Sequence, residues 1–103
     1  MGQVQKVAEV SALAPGQAKC VEAGGKAIAL FNVGGTFYAL DDACTHVGGN
    51  LSEGEVDGAT VICPWHGARF DLKTGTCLGP PATVAVKSYP LQIRGQDILV
   101  DVG

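Results

Sequence analysis

Apolar and polar positions alternate along this chain in many short runs, none of them long enough for an amphipathic helix of ordinary length. The runs Gln5 to Val10, Ala18 to Ala23, Lys26 to Val33, Thr36 to Asp41, Thr60 to Cys63, Thr83 to Tyr89, Leu91 to Arg94 and Asp97 to Val102 are apolar-rich and punctuated by Gly, Pro or Asp. That is the pattern of an all-β domain. Gly24-Gly25, Gly34-Gly35 and Gly95-Gln96 separate successive runs as two-residue hairpin turns. The one helix-like run, Ser11 to Ala14, is a single turn, and Pro15-Gly16 ends it before it can propagate. These elements predict a small antiparallel β-sandwich or barrel.

Length and charge narrow the function. A chain of 103 residues makes one domain with a modest core, too small for a two-domain oxidoreductase. No repeat, low-complexity tract or linker divides it, so a single domain over residues 1–103 is expected. Seven Lys and Arg stand against ten Asp and Glu, a formal charge of -3. The phosphate attraction that supports nucleic-acid binding is therefore lacking, and an acidic face toward a basic protein partner is expected instead. Met1 to Val10 carry no basic region followed by an apolar run, and no stretch approaches a membrane span. The expected location is cytoplasmic, with no membrane partner. Lys6 stands where a myristoylation site needs Ser or Thr, and Asn50-Leu51-Ser52 reads as a chance match to the glycosylation pattern.

The candidate chemistry lies in two motifs, Cys44-Thr45-His46 and Cys63-Pro64-Trp65-His66, separated by the sixteen residues Val47 to Ile62. Each offers one thiolate and one imidazole, and each is closely followed by glycine: Gly48 and Gly49 after the first, Gly67 after the second. Two sulfur and two nitrogen ligands suit zinc or an iron-sulfur cluster. A common zinc finger pairs cysteine with cysteine and histidine with histidine, whereas here each half mixes the types, which better matches a two-metal centre. His46 and His66 are the only histidines in the chain, and both sit at ligand spacing. A cysteine-histidine nucleophilic pair is the other chemical reading, but it has no need of two equivalent half-sites. Cys20 and Cys77 lie in apolar, strand-like surroundings and read as core or partly buried positions. A disulfide between them is disfavoured in a reducing compartment.

The constellation of Cys44-x-His46, sixteen residues, Cys63-x2-His66, Gly67 and Pro80-Pro81 resembles a Rieske-type ferredoxin. The resemblance extends over Gly34 to Leu40, Leu51 to Gly54, Phe70-Asp71, Thr74-Gly75 and Gly79 to Ala82. It implies a Rieske fold with a cluster-binding lobe of about residues 43–81 inserted in the β-framework, and one 2Fe-2S cluster. Cys44 and Cys63 would then hold the inner iron, and His46 and His66 the outer. Imidazole in place of two thiolates raises the potential above that of all-cysteine ferredoxins. Pro64 and Pro80-Pro81 become loop-fixing residues, and Trp65 either packs as a cover or serves as an aromatic anchor for a partner. Cytochrome-complex members of the family carry a disulfide at the positions of Gly49 and Trp65, and hydroxyl donors at those of Ala68 and Phe70. Without those donors, the potential is expected toward the low end of the Rieske range. An ion pair of Arg69 with Asp71 or Asp41 is a further expectation.

The resemblance implies a soluble, monomeric one-electron carrier between a flavoprotein NAD(P)H reductase and the terminal oxygenase of an aromatic-ring hydroxylating dioxygenase system, without a substrate site of its own. Glu53 and Glu55 would steer the approach of partners, with Trp65, Pro80 and Pro81 as apolar contacts. The alternatives are a small Rieske-like subunit of nitrite reductase and a zinc-stabilised interaction module without redox chemistry.

Overall fold

The computed structural model describes residues 4–42, 50–63, 69–79 and 85–102. Its ten strands are β1 (Val4–Glu9), β2 (Ala18–Ala23), β3 (Lys26–Val33), β4 (Thr36–Asp41), β5 (Glu55–Asp57), β6 (Thr60–Ile62), β7 (Arg69–Asp71), β8 (Cys77–Gly79), β9 (Leu91–Arg94) and β10 (Asp97–Asp101). Every pairing is antiparallel. The expected all-β architecture is present as three sheets, ordered β1-β10-β9, β2-β3-β4 and β5-β6-β7-β8. The third falls in sequence between β4 and β9.

The β2-β3-β4 meander is the middle layer, and the period of two in its strands decides what each side receives. Along β3, Ile28 and Leu30 pack with Tyr89, Ile98 and Val100, whereas Ala29 and Phe31 pack with Leu51, Val61, Cys63, Phe70 and Leu72. On β4, Ala39 and Leu40 divide the same way. A strand covered on both faces reads as a continuous apolar run, and Ala27 to Phe31 is one. Phe31 and Phe70 are fully buried, which stabilises the fold by roughly 1.5–3 kcal/mol for each ring.

The turns follow the glycine signals. Gly24 and Gly25 both have positive φ, as the tight β2-β3 hairpin requires. The helix-like run shrinks to a 3-10 turn at Val10–Ala12, where the Leu13 amide donates to the Val10 carbonyl at 3.2 Å. Asn32, almost fully buried, ties the following segment to β3: its side-chain amide donates to the Leu13 carbonyl at 2.7 Å, and its side-chain oxygen accepts the Gly35 amide at 2.9 Å.

Four expectations are corrected. The run Thr83 to Tyr89 forms no strand over its described part, which has only an isolated bridge between Ser88 and Leu40. Its hydrogen bonds are divided between partners: the Val86 amide donates to the Gly75 carbonyl, the Lys87 carbonyl accepts the Asp41 amide, and the Tyr89 amide donates to the Ala39 carbonyl. Pro90 then removes the next donor. Strands β5, β7 and β8 were not anticipated, since three residues carry too little periodicity and, unlike Thr60 to Cys63 at β6, they hold no unbroken apolar run. Cys20 is exposed, because β2 is an edge strand with a neighbour on one side only; Cys77 is partly buried, as expected. Finally, Arg69 makes no ion pair among the described residues. Asp41 instead accepts the Tyr89 hydroxyl, and Asp71 accepts the Lys73 amide at 2.7 Å.

Candidate metal centre

Of the four candidate ligands, Cys63 lies within the described residues; Cys44, His46 and His66 lie outside them, as do Gly48, Gly49, Pro64, Trp65, Gly67, Ala68, Pro80 and Pro81. Cys63 immediately follows β6 and is 2% exposed, packed with Val61, Leu51 and Phe70. Among the described residues alone there is no group of three metal-ligating side chains.

The flanks of both motifs nevertheless meet. In the four-stranded sheet, Glu55 pairs with Ile62, Ile62 with Arg69, and Arg69 with Gly79. These four residues therefore define one end of the sheet, spanning about 14–15 Å at the usual strand spacing. Cys63 leaves from that end, and residues 64–68 connect it to Arg69. The first motif attaches through Asp42 and Asn50, and the chain runs on through the 3-10 turn Leu51–Glu53 and Gly54 into β5 at the same end. Gly54 approaches β6 so closely that a Cβ there would stand 2.3 Å from the Ile62 carbonyl oxygen. The exit of the first motif thus rests on the residue that precedes Cys63. Sequence spacing could not reveal this contact, because it depends on the absence of one carbon atom.

The electrostatics around these flanks are defined by two carboxylates. Asp41, at the end of β4, accepts the Tyr89 hydroxyl, whose pKa is raised by burial and then by that bond. The ammonium groups of Lys26 and Lys87 lie 5.7 and 5.1 Å from the centroid of the same ring. Asp42 is 4% exposed, and its carboxylate accepts the Ser52 amide at 2.8 Å. The Cys20 thiol is held above its ordinary range by desolvation and then by its hydrogen bond to Asp42. Sequence reasoning assigned no role to Asp42; its only signal was its place between an apolar strand and a cysteine-histidine motif.

Comparison with known proteins decides between the metal chemistries. The profile of the Rieske 2Fe-2S domain matches residues 3–90. The chain belongs to the Rieske family. It is 53% identical over 76 residues to the 3-phenylpropionate/cinnamic acid dioxygenase ferredoxin subunit of Shigella boydii, covering 73% of this chain and 72% of that protein. Among solved structures, it resembles a chain from the complex of reduced oxygenase and oxidised ferredoxin in carbazole 1,9a-dioxygenase, with 34% identity, TM-score 0.89, and 95% and 92% of the two chains covered. It also resembles a chain described as an NADH-dependent nitrite reductase small subunit from Mycobacterium tuberculosis, with 26% identity, TM-score 0.90, and 98% and 96% covered. The Rieske chain is an electron-carrying component with one Rieske-type 2Fe-2S cluster, not a catalytic subunit. The residues present fit that group: the candidate donors are two thiols and two imidazoles, and the described flanks of both motifs converge on one sheet end.

Proposed function

We propose that this chain is the ferredoxin component of an aromatic-ring hydroxylating dioxygenase system, carrying single electrons from a flavoprotein NAD(P)H reductase to a terminal oxygenase. The observation that carries this reading is the convergence of the Cys44-His46 and Cys63-His66 flanks at the Gly54-Ile62 contact, in a chain 53% identical to a dioxygenase ferredoxin subunit over 76 residues. Cys44, Cys63, His46 and His66 would hold the cluster, within a lobe of about residues 43–81. When bound, the cluster accepts and releases one electron at a time. The protein's part is to place the donors and control access to them. Buried Cys63 sits among apolar side chains that keep water from its sulfur. Phe70, in the same packing group, brings no hydroxyl to this side of the site, which favours a midpoint toward the low end of the Rieske range, about -150 mV.

Among the described residues no helix is long and apolar enough to cross a membrane. We assign the chain to the cytoplasm as a monomer that exchanges between its two partners. Glu53 and Glu55 are exposed at the converging sheet end and suit electrostatic steering toward a basic face.

Iron and labile-sulfide analysis of anaerobically purified protein should give two of each. One zinc and no sulfide would overturn the cluster ligation. His66→Ala should abolish the reduced-state spectrum, whereas Cys20→Ala should retain it. Reconstitution with NADH, a flavin reductase and a ring-hydroxylating oxygenase then tests the pathway, because product formation should stop when this chain is omitted. Tight co-purification with a sirohaem enzyme would instead favour the nitrite-reductase assembly, a reading supported by the likeness to the M. tuberculosis small subunit.

A further inference from the structure

Asp42 is the last described residue before the segment that carries Cys44 and His46, and it is almost completely buried. A carboxylate removed from water needs compensating donors, and those of Asp42 come from the far side of that segment. Its side-chain Oδ1 accepts the Ser52 amide at 2.8 Å, and its main-chain carbonyl accepts the Leu51 amide at 2.6 Å. Its own amide donates to the Ala27 carbonyl of β3 at 3.1 Å. One residue therefore joins the end of β4, the 3-10 turn Leu51–Glu53 and β3. The same turn leads through Gly54 onto the Ile62 carbonyl beside Cys63.

We infer that Asp42 is a positioning residue for the cluster: it ties the end of β4 to the Leu51–Glu53 turn and so fixes the described flanks of the first motif relative to Cys63. This rests on the ligand reading above. Metal sites depend on such supporting hydrogen bonds, and their loss commonly costs about 10–100-fold in metal affinity. The acceptor position is what matters here, since the partner of the side chain is a neutral backbone amide.

The test uses three variants of the holo-protein: Asp42→Ala, Asp42→Asn and Asp42→Glu. The first removes the acceptor, the second keeps it without the charge, and the third keeps the charge but displaces the acceptor. Asp42→Ala should lose its cluster to a chelator about tenfold faster or more and show an altered EPR signature of the reduced state. Its Leu51 and Ser52 amides should lose hydrogen-exchange protection while Ile28, Leu30 and Val100 keep theirs. Asp42→Asn should restore all three properties. Wild-type cluster retention in Asp42→Ala would overturn the inference, as would an Asn variant as defective as Ala. Should Asp42→Ala not fold, the other two decide: faster cluster loss in Glu than in Asn supports the role, and equal loss overturns it. A wild-type chain without the cluster would refute the ligand reading; in that case, unchanged Leu51 and Ser52 protection in Asp42→Ala would separately refute the closure of the flanks.

Discussion

The two faces of the middle sheet are packed for different ends. On one face, Ile28, Leu30 and Ala39 meet Ile98 and Val100 of β10, with Tyr89 just before β9. On the other, Ala29, Phe31 and Leu40 meet a sheet of three-residue strands whose buried set includes a candidate ligand, Cys63. The first face holds the framework together; the second also supports chemistry. In this four-stranded sheet the strands are too short for many ladder bonds, so close contacts at the flanking residues count for more. Gly54 against Ile62 and Gly75 against Val86 are such contacts.

Truncating one residue on each side should expose the difference most strongly. Phe70→Ala should cost about 3–5 kcal/mol and Ile98→Ala about 2–5 kcal/mol by denaturant unfolding. Only the first should also accelerate cluster loss from folded protein, and equal cluster loss in both variants would erase the distinction. Next comes Gly75→Ala, expected to destabilise by about 2–4 kcal/mol, because it adds a Cβ at positive φ. That carbon would stand 2.0 Å from the Val86 carbonyl oxygen, where backbone has to move. Gly54→Ala follows at about 1–3 kcal/mol from steric overlap. It should disturb the visible spectrum of the cluster, whereas Gly58→Ala, which meets open space, should leave that spectrum unchanged.

The smallest effect belongs to the framework face. Tyr89→Phe removes the hydroxyl donated to Asp41, a loss of about 1 kcal/mol. The raised pKa of Tyr89 means that folding favours its protonated form. The associated stability is complete below the ordinary tyrosine value of 10.0 and is lost as pH rises above it. Thermal unfolding at increasing alkalinity should therefore fall less steeply in Tyr89→Phe than in the parent chain.

The same contrast explains what could be read from sequence. β1, β2, β3, β4, β9 and β10 were legible because four to eight apolar-rich residues lie between glycine- or proline-marked breaks, and the shorter β6 because Val61, Ile62 and Cys63 form an unbroken apolar run. The Rieske signature was legible because chemistry, unlike packing, is written in residue types. β5, β7 and β8 were not, since each is three residues long with charged or glycine residues and no apolar run to mark it. The run Thr83 to Tyr89 misled because apolar composition does not say where hydrogen bonds will go. Asp42 was missed because nothing in a sequence says which of two adjacent aspartates, Asp41 or Asp42, keeps the greater exposure.

One pairing also sets how this chain must fold. β1 joins β10 in a register that places Val4 opposite Asp101, a contact closed across nearly the whole sequence, whereas β2-β3-β4 and β5-β6-β7-β8 are meanders closed by near neighbours. Loop-closure entropy penalises the distant pairing, which belongs to the class of non-local β contacts that form in milliseconds to seconds. The meanders can therefore assemble first, and the β1-β10 seam is expected to be the slow kinetic step that completes the domain.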